Sequence, residues 1–277
     1  MYTPDINKKL LAIKVAEIVN RLPPIPNNVG RILNLASQTS DNGTKILSMV
    51  KQDPGLSADL LHIANESSDK SQTIETIDDA FRDLGIRPVV QIVRFCYAQN
   101  TIRQYFNSLK YLQQYFIHSQ NISKACRVLA KISGIAPHDR ELYATAGLIH
   151  DIGRLVIFLA SDRFNAPLIG TTVKKMASID HDEKRVLGLS HSEVGWQLCK
   201  RWSFSPALQE AILRHHTPLK KTDFSIPGAF VFLAHFVSYS DISGDILSKM
   251  LPAELLAKLN LTTKDFIKAR KMVKLKP

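Results

Sequence analysis

Gln52-Asp53-Pro54-Gly55-Leu56-Ser57-Ala58-Asp59-Leu60-Leu61-His62-Ile63-Ala64-Asn65 decides the secondary-structure class of this chain. Asp53 carries the short carboxylate that accepts from free amides at a helix start, and Pro54 suits the first helical position because its missing N–H is not needed there. Leu56, Leu60, Leu61 and Ala64 then recur at helical spacing and define an inward face. The same periodicity continues in both directions, and period-two alternation bounded by turn residues is hard to find. The expected fold is therefore all-α.

Upstream, a helix is predicted over 7–22, with Leu10, Leu11, Ile13, Val15, Ile18 and Val19 as its buried side and Pro23-Pro24-Ile25-Pro26 as its stop. Helices over 27–38 and 44–52 follow. Downstream, a helix over 77–84 ends at Gly85, and the apolar run 88–106 has the character of a central buried helix. These elements form an N-terminal helical bundle, assigned to 1–108. A long helix over 109–133 carries His118 and ends at Gly134; the next, over 139–150, delivers His150-Asp151. Further helices are predicted over 154–159, 163–176, 191–202, 206–215 and 227–239, completing a second helical unit over 109–240. The tail, 241–277, holds two more helices, whose starts are marked by Pro252 and Thr263.

At 277 residues and 45% hydrophobic composition the chain can bury a substantial core as one large domain or two ordinary ones. The apolar runs 228–239 and 155–160 fall short of the roughly 20 residues of a membrane span, and the N-terminus lacks a signal-peptide core. The expectation is a soluble, cytoplasmic protein with no membrane partner. Cys96, Cys126 and Cys199 are odd in number and set in apolar helical patterns, which argues for buried thiols and against disulfides or a cysteine zinc site. The net charge is +11, from 36 basic and 25 acidic residues, with Lys264, Lys268, Arg270, Lys271, Lys274 and Lys276 in the tail. Such an excess favours anionic partners in general, though a charge run is most often a solvated helix face. No helix-turn-helix context accompanies it, so nucleic acid is not the favoured partner. Nor is there a Gly-rich phosphate loop, nucleophile elbow or dinucleotide fingerprint, which disfavours the usual nucleotide enzymes.

The chemistry concentrates at Gly147-Leu148-Ile149-His150-Asp151-Ile152-Gly153-Arg154, where an imidazole and a carboxylate share one helix end. His62, His138 and His181 read as contact or surface residues. Trp196 and Trp202 read as packing residues, not as a cofactor box.

Four blocks resemble the HDOD domain, the HD-related output domain of bacterial signalling proteins. They are Leu22-Pro23-Pro24-Ile25-Pro26, the 52–65 stretch quoted above, Ala80-Phe81-Arg82-Asp83-Leu84-Gly85, and a C-terminal pattern of Glu183, Gly188, His191, Gly195, Trp202, Pro206, Ala211-Ile212 and His215-His216-Thr217-Pro218. The resemblance covers about residues 15–240. It implies an N-terminal bundle packed on a degenerate HD-type helical domain, acting as a regulatory or scaffolding module.

Related HD and HD-GYP phosphohydrolases hold metal through histidines, a His-Asp pair and a final Asp. By that resemblance the metal ligands fall on His118, His150, Asp151, His191, His215, His216 and His235, the last standing where the relatives have Asp. Imidazoles suit borderline divalent ions, and one carboxylate can bridge two. Losing the terminal anion favours Fe, Zn, Ni or Co over Mg or Mn, and one ion where a relative holds two. Gln114 stands where some HD-GYP relatives have a Glu ligand. Arg154 stands where active relatives have Lys, and could bind phosphate. The leading reading is a non-catalytic signal-transduction module working through contacts with signalling proteins. The alternative is a metal-dependent phosphohydrolase or phosphodiesterase acting on a nucleotide or cyclic dinucleotide, with Asp151 and Arg154 in the catalytic centre.

Overall fold

A computed structural model describes residues 8–22, 27–37, 42–67, 73–106, 112–161, 177–202, 204–220, 223–238 and 249–273. The described chain is helical apart from a two-residue antiparallel ladder. Its elements are α1 (Lys8–Arg21), α2 (Asn27–Ser37), α3 (Gly43–Lys51), α4 (Pro54–Ser67), α5 (Ile77–Leu84), α6 (Ile86–Tyr105), α7 (Leu112–Ile132), α8 (Pro137–Ile149), α9 (Ile152–Ser161), α10 (Ile179–Leu187), α11 (His191–Arg201), α12 (Pro206–Arg214), β1 (Leu219–Lys220), β2 (Asp223–Phe224), α13 (Ile226–Ser238), α14 (Ala253–Lys258) and α15 (Thr263–Met272). The helix expected over 163–176 lies outside the described residues.

Local chemistry sets the helix ends as the sequence implies. Asp53 accepts from the Leu56 amide at 3.0 Å to open α4, and the Thr76 hydroxyl accepts from the Asp79 amide to open α5. Gly85 and Gly134 follow α5 and α7 with φ of 83° and 80°. Ser190 caps α11 through the Glu193 amide, and Pro206 opens α12 behind the Ser205 cap.

The first helix differs from expectation in its exposed side. Leu11, Val15 and Val19 are buried, whereas Leu10 and Ile13 are 45% and 56% exposed. At about 100° per residue the spacing 11, 15, 19 makes a single stripe, and positions 10 and 13 fall off it on either side. Helix α10 is not among the expected helices: its nine residues carry only three apolar side chains, Ile179, Val186 and Leu187, and Glu183 takes a buried position between them.

Among the first six helices α6 packs against α2, α4 and α5, and it also meets α8. In the second half α7, α8 and α13 pack together, α11 lies on α9 and α12, and α15 closes on α7 and α13. One continuous apolar cluster runs from Leu11 to Val273. The basic tail takes part in it: Phe266 and Ala269 are buried, and Arg270 donates to the Phe236 carbonyl at 2.8 Å. Lys264, Lys268 and Lys271 face solvent, as a charge run usually does. Cys96, Cys126 and Cys199 are buried free thiols.

Helix α1 is strapped to the second half. It packs on α9 and α11, the Arg201 guanidinium donates to the Asn20 and Leu22 carbonyls at 2.7 and 3.0 Å, and Lys8 donates to the Arg185 carbonyl at 2.8 Å. By length and composition 139–161 could cross a membrane, contrary to the expectation that no stretch approaches a span. Its most apolar window is 72% buried inside the protein, so that surface is consumed by core packing.

Candidate metal centre

Five helical elements deliver the seven predicted ligands to one place. His118 comes from α7, His150 caps α8, and Asp151 sits in the break between α8 and α9. His191 is the first residue of α11, His215 and His216 follow the end of α12, and His235 comes from α13. All are buried except His118, whose side chain is 33% exposed.

The donors fall into two groups joined by one carboxylate. Asp151 Oδ1 lies 3.2 Å from His191 Nε2 and 3.8 Å from His215 Nε2, in a set completed by His216. Asp151 Oδ2 lies 3.4 Å from His150 Nε2 and 3.8 Å from His118 Nε2, beside the set His118, His150 and His235. Within each set the candidate ligand atoms lie within 4.8 Å of one another.

The ring orientations fit a metal. Nδ1 of His150, His215 and His235 stands 2.8, 2.6 and 2.8 Å from the carbonyls of Gly147, Ile212 and Val231. A carbonyl only accepts, so each Nδ1 donates and each neutral ring turns an Nε2 lone pair inward. Nε2 atoms then confront one another: His118 to His150 at 3.3 Å, His191 to His215 at 3.1 Å, His216 to His191 at 3.1 Å. With metal–nitrogen bonds of about 2.1 Å, ligand nitrogens about 90–110° apart are separated by roughly 3.0–3.4 Å. Imidazole nitrogens converging at this spacing can take a cation between them, and the donor set of imidazoles with one carboxylate matches Fe, Zn, Co or Ni in preference to Mg.

The electrostatics agree. Burial pushes the His118 imidazole down to about 4, helped by His150, and burial with neighbouring imidazoles also lowers His215, His216 and His235. These rings are neutral and ligand-ready near pH 7. Burial opposes ionisation of Asp151, but Arg154 and His150 outweigh it and hold the carboxyl well below its usual range. His191 behaves oppositely: burial and Arg154 disfavour its charge, yet Glu183 and Asp151 raise it to about 9. Without an ion, a proton between these carboxylates supplies the positive charge.

Close helix approach makes the cluster. A Cβ on Gly153 would overlap the His191 carbonyl oxygen and stand 2.6 Å from Gly195 N, so α9 and α11 meet backbone to backbone, bringing Asp151 to His191. Arg154 is turned inward. Its Nε donates to Asp151 Oδ1 at 2.9 Å, its Nη1 lies 3.8 Å from Glu183 Oε1, and its side chain is 12% exposed. Gln114 is exposed and outside both donor sets. His62 is exposed and the His181 side chain is 80% exposed, as expected of contact and surface residues. Glu183, which the sequence marks only as part of the C-terminal motif, also enters the site, 2.6 Å from His191 Nδ1 and 3.8 Å from Arg154 Nη1.

Comparison with known proteins bears on the family and the fold. The HDOD domain family model matches residues 22–218. A crystal structure of a protein from Shewanella amazonensis, provisionally named a phosphohydrolase, superposes with a TM-score of 0.69 at 22% identity, covering 94% of each chain. An HDOD domain protein of unknown function from Geobacter sulfurreducens gives 0.64 at 22% identity, over 97% of this chain and 98% of the other. At such identity the likeness is one of fold. A curated relative, Ribonuclease Y from Sulfurovum sp., is 26% identical over 160 residues; that match takes in 56% of this chain and 24% of the relative's length.

Proposed function

The chain belongs to the HDOD domain family, and from that premise we propose that it is a metal-binding regulatory module that passes the state of its cleft to signalling proteins through protein contacts. The observation that carries this reading is the engagement of Arg154. The side chain that would clamp a phosphate is turned onto Asp151 and Glu183, so the donors are assembled while the expected substrate clamp is committed elsewhere. When bound, the ion supplies Lewis acidity and fixes the helices that carry its ligands. His118, His150 and His235, with Asp151 beside them, would hold one ion, and His191, His215 and His216 with Asp151 would hold another.

The output route on this reading is α1. It packs on α9, which begins beside Asp151, and on α11, which begins with His191, and Arg201 ties its last turn down. A change in the spacing of α9 and α11 is felt along residues 8–21. Hydrogen exchange of these amides, with and without Zn2+, tests the reading: slower exchange on Zn2+ addition is expected. Unchanged exchange, together with turnover of a phosphoester, would overturn it.

The convergence of seven donor side chains favours a second reading, a metal-dependent phosphohydrolase or phosphodiesterase acting on a nucleotide or cyclic dinucleotide. It requires turnover with Fe2+, Mn2+ or Zn2+ across a nucleotide panel, lost in Asp151→Ala. No turnover across that panel eliminates it.

A further inference from the structure

Behind the inward-facing donors lies a layer of carboxylates on α10 that the metal reading does not use. Glu183 is 4% exposed. Its Oε2 accepts two hydrogen bonds, from the His191 backbone amide at 2.7 Å and from His191 Nδ1 at 2.6 Å. Its other oxygen, Oε1, lies 3.8 Å from Arg154 Nη1, and Arg154 Nε reaches Asp151 at 2.9 Å. Asp180, one turn earlier, accepts from Ser192 Oγ at 2.8 Å and so docks α10 against the start of α11.

This geometry distinguishes His191 from the other ligands. His150, His215 and His235 direct Nδ1 at a backbone carbonyl three or four residues back, a contact local to each helix. His191 is the first residue of its helix and has no preceding turn to supply such a carbonyl, and a carboxylate from another helix takes its place. A carboxylate accepting from Nδ1–H makes the opposite nitrogen a stronger donor and fixes which nitrogen faces the ion. The same carboxylate satisfies an amide at the start of α11, where negative charge is favoured.

Resting on the metal reading, we propose that Glu183 is the positioning residue of the His191–His215–His216 half of the centre, orienting His191 Nε2 and linked through Arg154 to the bridging Asp151. In the other half, His150 and His235 take their orientation from backbone carbonyls and not from Glu183. Binding of an ion in the first half is therefore separable by mutation from binding in the second.

Co2+ titration of the full chain, read by stoichiometry and by the visible d–d bands, tests this. Glu183→Gln keeps size and removes charge. Removing such a partner weakens metal binding by about 10–100-fold. The expected result is a loss of that size in one Co2+ equivalent, with any second equivalent unchanged, and persistence of the weakened equivalent in His118→Ala, which disables the other half. Unchanged binding in Glu183→Gln overturns the proposal and leaves the metal reading standing. Equal weakening of two equivalents, or the same weakening in Ser192→Ala, overturns it in favour of general loosening of α10. Wild-type protein that binds no Co2+ overturns the metal reading and the proposal with it.

Discussion

Replacing Gly153 by Ala is expected to weaken the fold and the metal centre together. A Cβ there would meet the His191 carbonyl and Gly195 N, the latter at 2.6 Å, and these are backbone atoms that cannot rotate aside. Ordinary carbon contacts lie at about 3.5 Å, so relieving the tighter clash, with the His191 carbonyl, requires α9 and α11 to part by more than about 1 Å. Overpacking of this kind costs about 1–3 kcal/mol, and a clash against backbone belongs at the upper end. Ala regains about 1 kcal/mol over Gly inside a helix, leaving a net loss of about 2 kcal/mol. With a urea slope of about 3 kcal/mol/M the unfolding midpoint falls by about 0.7 M. Since Asp151 Oδ1 and His191 Nε2 stand 3.2 Å apart across this contact, the same displacement opens the bridging carboxylate from its ligand, and Co2+ affinity falls about tenfold. Gly55→Ala is the control. Its Cβ would lie 3.6 Å from Asp53 Oδ1, an ordinary contact, and the change is expected to be neutral or stabilising by about 0.5 kcal/mol. A Gly153→Ala protein with wild-type midpoint and wild-type Co2+ binding would refute the close-approach argument.

His235→Asp restores an anion among buried donors and is expected to raise Mn2+ affinity relative to Zn2+ at least about tenfold; an unchanged ratio by calorimetric titration would contradict the charge argument. Metal-free stability is expected to fall as pH drops below 6.5. The folded pKa values of His118, His215, His216 and His235 are lowered, His118 to about 4, so between 6.5 and about 4 the unfolded chain takes up protons that the folded protein refuses. His191, raised to about 9, acts with the opposite sign: its contribution is full below 6.5 and is lost as pH rises through 9. Urea midpoints in chelator should therefore peak near neutrality with the steeper loss on the acid side, and a flat profile from pH 7 to 5 would exclude neutral buried imidazoles. The same raised value predicts that metal uptake near pH 7 releases about one proton, measurable by calorimetry in buffers of different ionisation enthalpy.

Most helices were legible because their ends carry local chemistry: the Asp53 cap with Pro54 behind it, the Gly85 and Gly134 stops, the Ser205-Pro206 start. The charged helix α10 was not, since it is short, has only three apolar residues, and fills one of its three buried positions with a glutamate. Leu10 and Ile13 are apolar yet exposed, because burial follows the partner's direction and α1 has α9 and α11 on one side.

By itself the sequence determined that the chain is helical and that its cysteines are buried thiols, both from side-chain type and local spacing; the seven candidate ligands came from the resemblance to HD-type families, not from spacing. Only the tertiary structure decided that the seven meet, that Asp151 divides them into two sets, that Arg154 turns inward onto Asp151 and Glu183, and that Glu183 stands behind His191. Those facts depend on helix crossings such as α9 over α11 at Gly153, where a distance of a few ångströms is set by residues far apart in the chain.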